Sequence, residues 1–154
     1  MPSKNVRTAI NADAMLLLDN QLCFALYSTS LAMTRVYKPL LGEIGLTYPQ
    51  YLAMLVLWEK DGLMVSELGE RLYLDSGTLT PLLKRLESSG LIARLRAVED
   101  ERRVHITLTA AGRKLKAKAA KIPGGILSAS QCSIPELNAL TQQVQTLRNQ
   151  LLAA

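Results

Sequence analysis

Apolar and polar residues alternate with two different periods along this chain. From Leu68 to Leu86 the period is helical: Leu68 and Leu72 lie one turn apart, and Leu79, Leu83 and Leu86 follow the i, i+4, i+7 spacing. The stretch Val65–Gly90, VSELGERLYLDSGTLTPLLKRLESSG, therefore predicts two short helices joined by a tight turn, each with one buried side. Ser66 with Glu67 and Glu70 suits the start of the first helix, where free amides and the dipole favour oxygen ligands and negative charge. Asp75 caps the second in the same way. Pro81 would remove a backbone hydrogen bond and crowd the carbonyl of Gly77, so either the first turn is distorted or regular helix starts nearer Thr80. Gly77, without a side chain, eases that crowding. Beyond Gly90 the period shortens to two. Leu91–Arg96 and Arg103–Thr109 predict two strands around a charged tip, Ala97–Arg102.

The flanks read as helices. Residues 1 to about 12 are polar and expected to be loosely ordered. From Asp13 to about Leu41 there is no Gly and one Pro, Pro39, while Leu16, Leu17, Cys23, Phe24, Leu26, Leu31, Val36 and Leu40 crowd the span. One long helix follows, more apolar than a half-buried face requires, so part of it should pack against another chain. Gly42 and Gly45 end it. Thr47 caps a second helix, with Pro49 in its first turn and its end near Asp61-Gly62, lying under the two-helix unit. Thr109 caps a basic helix carrying Arg113, Lys114, Lys116, Lys118 and Lys121, with a break and possible hinge at Pro123-Gly124-Gly125. In the last segment Leu137, Leu140, Val144, Leu147 and Leu151 alternate three and four apart, a short a/d seam. Two heptads do not make a stable coiled coil alone. The seam is expected to pair with the N-terminal helix in a dimer; core packing within one chain is the alternative.

Composition narrows the class. The 154 residues can bury a core without staples, and 49% apolar residues argue against a disordered chain. A net charge of +5 favours a polyanionic partner, since phosphate neutralisation supplies most non-specific affinity for DNA; a membrane surface is the competing polyanion. No apolar run approaches the roughly 18 residues of a spanning helix, and Met15–Leu18 is too short for a signal-peptide core. A cytoplasmic chain with no membrane partner is expected. Two cysteines far apart and a single histidine, His105, form no ligand cluster, so neither metal nor cofactor is expected.

A helix-turn-helix with a charged hairpin behind it is a winged helix, which places one helix in the major groove and the hairpin along the backbone or minor groove. Ser76, Thr78 and Thr80 could then meet base edges and phosphates, with Lys84 and Arg85 beside them. Arg94, Arg96, Asp100, Arg102 and Arg103 supply the wing. The competing reading is ordinary solvated charge. The expected fold is mainly α with a small β hairpin: a winged helix-turn-helix on a helical dimerisation scaffold. One domain spans residues 1–154, with a DNA-binding head at about 48–110 and dimerisation helices at about 13–41 and 133–152.

The run Leu68-Gly69-Glu70-Arg71-Leu72, then Leu79 through Ile92, Asp100-Glu101-Arg102-Arg103 and Leu108-Thr109-Ala110-Ala111-Gly112 resembles the MarR family of bacterial repressors over nearly the whole chain. The resemblance implies that Asp100 orders the wing and that Arg102 is presented to DNA. A two-fold dimer would reach successive major grooves about 34 Å apart, so a near-palindromic operator is expected.

Cys23 lies in the apolar N-terminal helix, with Tyr27 one turn later; by itself it reads as a small buried hydrophobe. Tyr37 and Tyr48 follow Cys23 by 14 and 25 residues. With Tyr27, this spacing is similar to the organic-hydroperoxide-sensing branch of the family, OhrR. That resemblance implies that Cys23 is the peroxide-reactive thiol and that Tyr37 and Tyr48 of the other subunit hydrogen-bond to it. No Lys, Arg or His lies within a helical turn of Cys23, so neutral hydroxyls would have to stabilise the attacking thiolate. Phe24, Leu26, Met33, Met54 and Trp58 could line a pocket for a bulky organic hydroperoxide, and each is equally a plain core residue. The resemblance to the two-cysteine type makes Cys132 the resolving thiol of the other subunit; the alternative is an incidental exposed thiol. The function expected is a homodimeric repressor that releases its operator when Cys23 is oxidised and cross-linked to Cys132. A MarR-like regulator released by a non-covalent aromatic ligand and, further off, a thiol peroxidase are the other readings.

Overall fold

The computed structural model describes residues 11–100 and 102–154; the expectation of loose order for the first residues falls almost wholly outside them. The chain divides into two compact units, one ending at Arg35 and one running Val36–Ala154.

The first unit holds α1 (Ala12–Met15), a 3-10 turn (Leu18–Asn20) and the first part of α2 (Leu22–Gly42). Asn11 caps α1, its side chain accepting from the Asp13 amide at 3.1 Å. The single long helix expected from Asp13 is broken. Asn20 Nδ2 donates to the Ala14 carbonyl at 2.7 Å, and Gln21 Nε2 donates to those of Met15 at 2.6 Å and Leu17 at 2.9 Å. Side-chain amides thus take carbonyls that a continuing helix would use, the local competition that polar side chains offer to helical hydrogen bonding. Leu16, Leu17, Leu22, Tyr27 and Leu31 are exposed in the single chain.

The second unit is built around α3 (Tyr48–Glu59). Its start is fixed by a capping box: the Gln50 amide donates to Thr47 Oγ1, and the Thr47 amide donates to Gln50 Oε1 at 2.9 Å. Gly45 and Gly62, both with positive φ, turn the chain before and after it. Tyr51, Ala53, Met54, Val56 and Leu57 are buried.

The helix pair follows as α4 (Val65–Leu72) and α5 (Ser76–Ser88). Glu67 Oε2 accepts from the Met64 amide at 3.0 Å, so α4 starts at Val65 and Ser66 lies inside its first turn. The turn needs Tyr73 in the left-handed region, φ 56°, and brings the Leu74 carbonyl so near α4 that a β-carbon on Gly69 would lie 2.9 Å from it. Asp75 Oδ1 accepts from the Thr78 amide at 2.7 Å, and α5 begins at Ser76 rather than near Thr80. Pro81 therefore sits inside the helix. Its ring has no amide for the Gly77 carbonyl, and one missing bond is tolerated because the opposite face of α5 is buried through Leu79, Leu82, Leu83 and Leu86.

The hairpin forms as expected: β2 (Ile92–Arg96) pairs antiparallel with β3 (Val104–Leu108), Arg94 opposite Ile106. A third strand, β1 (Leu63–Met64), pairs with the other edge of β3, giving the order β1-β3-β2. Two residues are too few to display a period, so β1 left no signal in the sequence.

Thr109 ties the sheet to the next helix. Its hydroxyl donates to the Gly90 carbonyl at 2.6 Å and accepts from the Gly112 amide at 3.1 Å, capping α6 (Ala110–Ala119). Trp58 Nε1 donates to the Gly112 carbonyl at 3.0 Å. The break expected at Pro123-Gly124-Gly125 is instead the first turn of α7 (Ile122–Ser130), where proline costs no helical hydrogen bond. A β-carbon on Gly125 would lie 2.8 Å from Leu40 Cδ1, so the small residue serves close packing rather than a hinge. Helix α8 (Ile134–Ala153) starts from a capping box between Ser133 and Glu136. None of its residues is buried; Leu140 and Leu151 in the seam are 54% and 66% exposed. Among the described residues, no helix is long and apolar enough to cross a membrane.

Gly112 and Gly124 make a direct comparison. A β-carbon on Gly112 would run into the Leu91 carbonyl, whereas one on Gly124 meets nothing within 4 Å. Gly112→Ala is expected to destabilise by about 1–3 kcal/mol or more through backbone displacement. Gly124→Ala should be neutral or stabilising by about 0.5–1 kcal/mol. Urea midpoints of the two variants check this; equal midpoints would contradict the packing described.

Candidate functional site

Two groups of side chains carry chemistry. The first lies on α5 and the wing. The buried side of α5 leaves Ser76, Thr78, Lys84 and Arg85 exposed and Thr80 half-buried. Thr80 Oγ1 donates to the Ser76 carbonyl at 2.7 Å and keeps its lone pairs for an outside donor. The Thr78 amide and hydroxyl at Asp75 hold that carboxyl below the usual carboxylate range, so the N-cap stays charged.

In the wing, Asp100 Oδ1 accepts from the Arg102 amide at 3.0 Å and the Asp100 carbonyl accepts from the Arg103 amide at 3.0 Å. The Ala97 amide donates to the Arg103 carbonyl at 2.8 Å. Asp100 thus organises the tip, and the side chains of Arg96, Arg102 and Arg103 stand exposed. Arg94 is placed differently. Its guanidinium holds Glu87 in a two-pronged ion pair, both N–O distances 3.2 Å, and its amide donates to the same carboxylate. Arg94 pulls the Glu87 carboxyl below its ordinary range and locks the wing to α5. An open cleft of about 910 Å³ separates α4 and α5 from the wing, with Ser66, Ser76, Thr80, Arg102 and Arg103 on its walls. Two hydroxyl-bearing helix turns and two exposed guanidiniums facing one groove suit a phosphate backbone.

The second group is aromatic and sulfur-bearing. Tyr37 on α2 and Tyr48 on α3 stack tilted, ring centroids 4.8 Å apart at 46°. Burial, then the neighbouring Tyr48 and Tyr51, push the Tyr37 hydroxyl up to about 12; burial raises Tyr48 as well. Both therefore remain proton donors at any physiological pH. Tyr51, which sequence reasoning missed, has its ring 5.9 Å from that of Tyr37. Its spacing of three from Tyr48, on one face of a helix, was the available signal.

Cys23 and Tyr27 lie on α2 within the first unit, both exposed. Phe24, Leu26 and Met33 share that exposed helix, whereas Met54 is wholly buried in the core and Trp58 is engaged by Gly112. Cys132 is half-buried in the short link between α7 and α8, where its amide donates to Ser130 Oγ at 3.2 Å and its thiol to the Ser130 carbonyl at 3.4 Å. Both thiols are free. A further interaction had no sequence signal: the Arg148 guanidinium of α8 lies 4.8 Å over the ring of Tyr73 in the helix-turn-helix turn. Among the described residues, no group of three or more His, Cys, Asp or Glu could hold a metal ion.

Comparison with known proteins agrees with this architecture. Residues 35–119 match the model of the transcriptional regulator SarA/Rot family. The organic hydroperoxide resistance transcriptional regulator of Bacillus subtilis is 57% identical over 130 residues, covering 84% of this chain and 88% of the relative. The HTH-type transcriptional regulator TtmR of Methylorubrum extorquens is 48% identical over 152 residues, 99% of this chain and 78% of the relative. Among solved structures, AbfR of Staphylococcus epidermidis superposes with a TM-score of 0.75 at 34% identity, covering 92% and 98% of the two chains. Reduced AbfR bound to DNA superposes with a TM-score of 0.73 at 34% identity, covering 91% and 98%. With a winged helix in place and relatives of this kind, the chain belongs to the MarR-type winged-helix transcriptional regulators, DNA-binding proteins rather than enzymes, alongside the organic hydroperoxide resistance regulator.

Proposed function

We propose that this regulator is a cytoplasmic homodimeric repressor whose affinity for a near-palindromic operator is switched by oxidation of Cys23. The observation that carries the reading is the pair of protonated tyrosines, Tyr37 and Tyr48, held ring against ring in a chain whose Cys23 stands exposed on an apolar helix. In the dimer, Tyr37 and Tyr48 of one subunit donate to the Cys23 sulfur of the other. Neutral donors stabilise a thiolate by hydrogen bonding without bringing a second charged group into the apolar surroundings.

The thiolate attacks the distal oxygen of an organic hydroperoxide. The S–O bond forms as the O–O bond breaks, the alkoxide takes a proton and leaves as the alcohol, and Cys23 becomes a sulfenic acid. Cys132 of the other subunit then attacks that sulfur, forming the S–S bond as hydroxide departs and is protonated to water. Sulfur loses two electrons in the first step, and those electrons reduce the peroxide.

The exposed seam of α8 and the exposed leucines of α2 support the dimer, because a single chain leaves these faces in water. The α5 hydroxyls and Lys84 and Arg85 enter the major groove, and Arg102, set by Asp100, reaches the backbone or minor groove. Arg96 and Arg103 add cations along the phosphates, while Arg94 acts by holding the wing against α5. A cross-link between arms changes the spacing of the two heads; a disulfide worth about 2–4 kcal/mol shifts a two-state population roughly 30- to 1,000-fold.

Operator anisotropy tests the switch. Wild type should release an inverted-repeat operator on addition of cumene hydroperoxide and rebind after dithiol reduction. Cys23→Ser should stay bound throughout; release by Cys23→Ser would contradict the assignment. For the DNA face, Arg102→Ala should weaken operator binding and lower the slope of log affinity against log salt by about one for each phosphate that Arg102 neutralises. An unchanged slope and affinity would remove Arg102 from the interface.

A further inference from the structure

The geometry points to Tyr51 as a positioning residue of the sensing site, one that fixes the orientation of Tyr37 and through it the hydroxyl offered to the sulfur. This inference rests on the peroxide-sensing reading above and extends it to a residue outside the Tyr37–Tyr48 pair.

Three observations carry it. Tyr51 is only 4% exposed, packed in the core with Leu41, which lies one turn beyond Tyr37 on α2. Its ring therefore has a fixed place. Tyr37 is tilted against two rings at once, 46° to Tyr48 at 4.8 Å and 45° to Tyr51 at 5.9 Å. A ring with one neighbour can pivot about it; a ring in tilted contact with two rings of one helix face has fewer orientations open to it. Tyr48 and Tyr51 are three residues apart on α3, whose first turn is fixed by the Thr47–Gln50 capping box, so the two rings holding Tyr37 are themselves held. The charge linkage agrees: Tyr51 is among the causes that keep Tyr37 protonated, and Tyr48 does the same for Tyr51. The three rings act as one aromatic unit, with Tyr37 and Tyr48 as donors and Tyr51 as their backing.

The ring of Tyr51, more than its hydroxyl, sets the tilt. Tyr51→Phe keeps the ring and should react like wild type; Tyr51→Leu removes the flat surface and frees Tyr37 to turn. The test is the second-order rate of Cys23 thiol loss in full-length reduced dimer with cumene hydroperoxide, measured for wild type, Tyr51→Phe, Tyr51→Leu, Tyr37→Phe and Tyr37→Phe/Tyr51→Leu. Operator affinity of each reduced protein reports folding. Tyr51→Leu should slow the reaction about tenfold, as expected for loss of one hydrogen bond to a charged group. It should cost nothing further in the Tyr37→Phe background, an epistasis that a general loss of structure would not give. Tyr51→Met, whose flexible unbranched side chain adapts better to an irregular gap, replaces Tyr51→Leu if the latter fails to bind operator. If Tyr37→Phe slows the reaction and Tyr51→Leu does not, or the two effects multiply, the inference fails while the sensing reading stands. If Tyr37→Phe reacts at the wild-type rate, the tyrosine-donor reading fails and this inference with it.

Discussion

Helix α3 has almost no polar face to give to water, and the rest of the second unit is arranged to cover it. Ala53 and Met54 are wholly buried and Leu57 nearly so. The apolar sides of α4 and α5 and the sheet share this core through Leu68, Leu79, Leu83, Leu86, Ile92 and Ile106, and Trp58 at its far end reaches α6 through the Gly112 carbonyl. Burying so many large side chains, each worth about 1.5–3 kcal/mol, fixes the angle between α5 and the wing far more firmly than any hydrogen bond at the surface does. The polar residues of α5 face outward because Leu79, Leu82, Leu83 and Leu86, three and four apart, commit the opposite side of the helix inward. The same helix α3 presents Tyr48 and Tyr51 at its start, so one core supports both the polar side of α5 and the aromatic cluster.

The other constraint is surface left over. Helix α8 has no buried residue and α2 exposes leucines along its length, yet both are well-formed helices with defined starts or ends. Amphipathic helices of this length draw most of their stability from packing, so a partner for these faces is part of the physical account. A second copy of the chain is the partner proposed above, where the sensing chemistry would draw its groups from two subunits. The Arg148–Tyr73 pair gives α8 a direct touch on the helix-turn-helix turn, at a residue in the left-handed region.

Much of this was legible in the sequence, and the reasons are specific. The leucines of α4 and α5, the alternating strands and the caps at Thr47, Asp75 and Thr109 are local signals with local causes, and the structure places them as expected. The failures have causes too. Asn20 and Gln21 break the N-terminal helix by hydrogen-bonding back to its carbonyls, an outcome that apolar content conceals. Pro123 reads as a stop but lies where a first turn tolerates it, and Gly125 reads as a hinge but receives Leu40. Arg94 looked like one more wing cation, and only the fold brings Glu87 to it. The buried backing of Tyr51 depends on ring positions across two helices, which spacing along one chain does not encode.

The central claim is that loss of DNA binding is a covalent event at Cys23. The most direct measurement is non-reducing peptide mass spectrometry of the protein fraction that leaves an immobilised operator after treatment with an organic hydroperoxide. The account predicts peptides carrying Cys23 disulfide-linked to Cys132, in amounts that match the protein released, with isotope-mixed dimers showing that the link joins two subunits. Full release with both cysteines recovered as free thiols would contradict it.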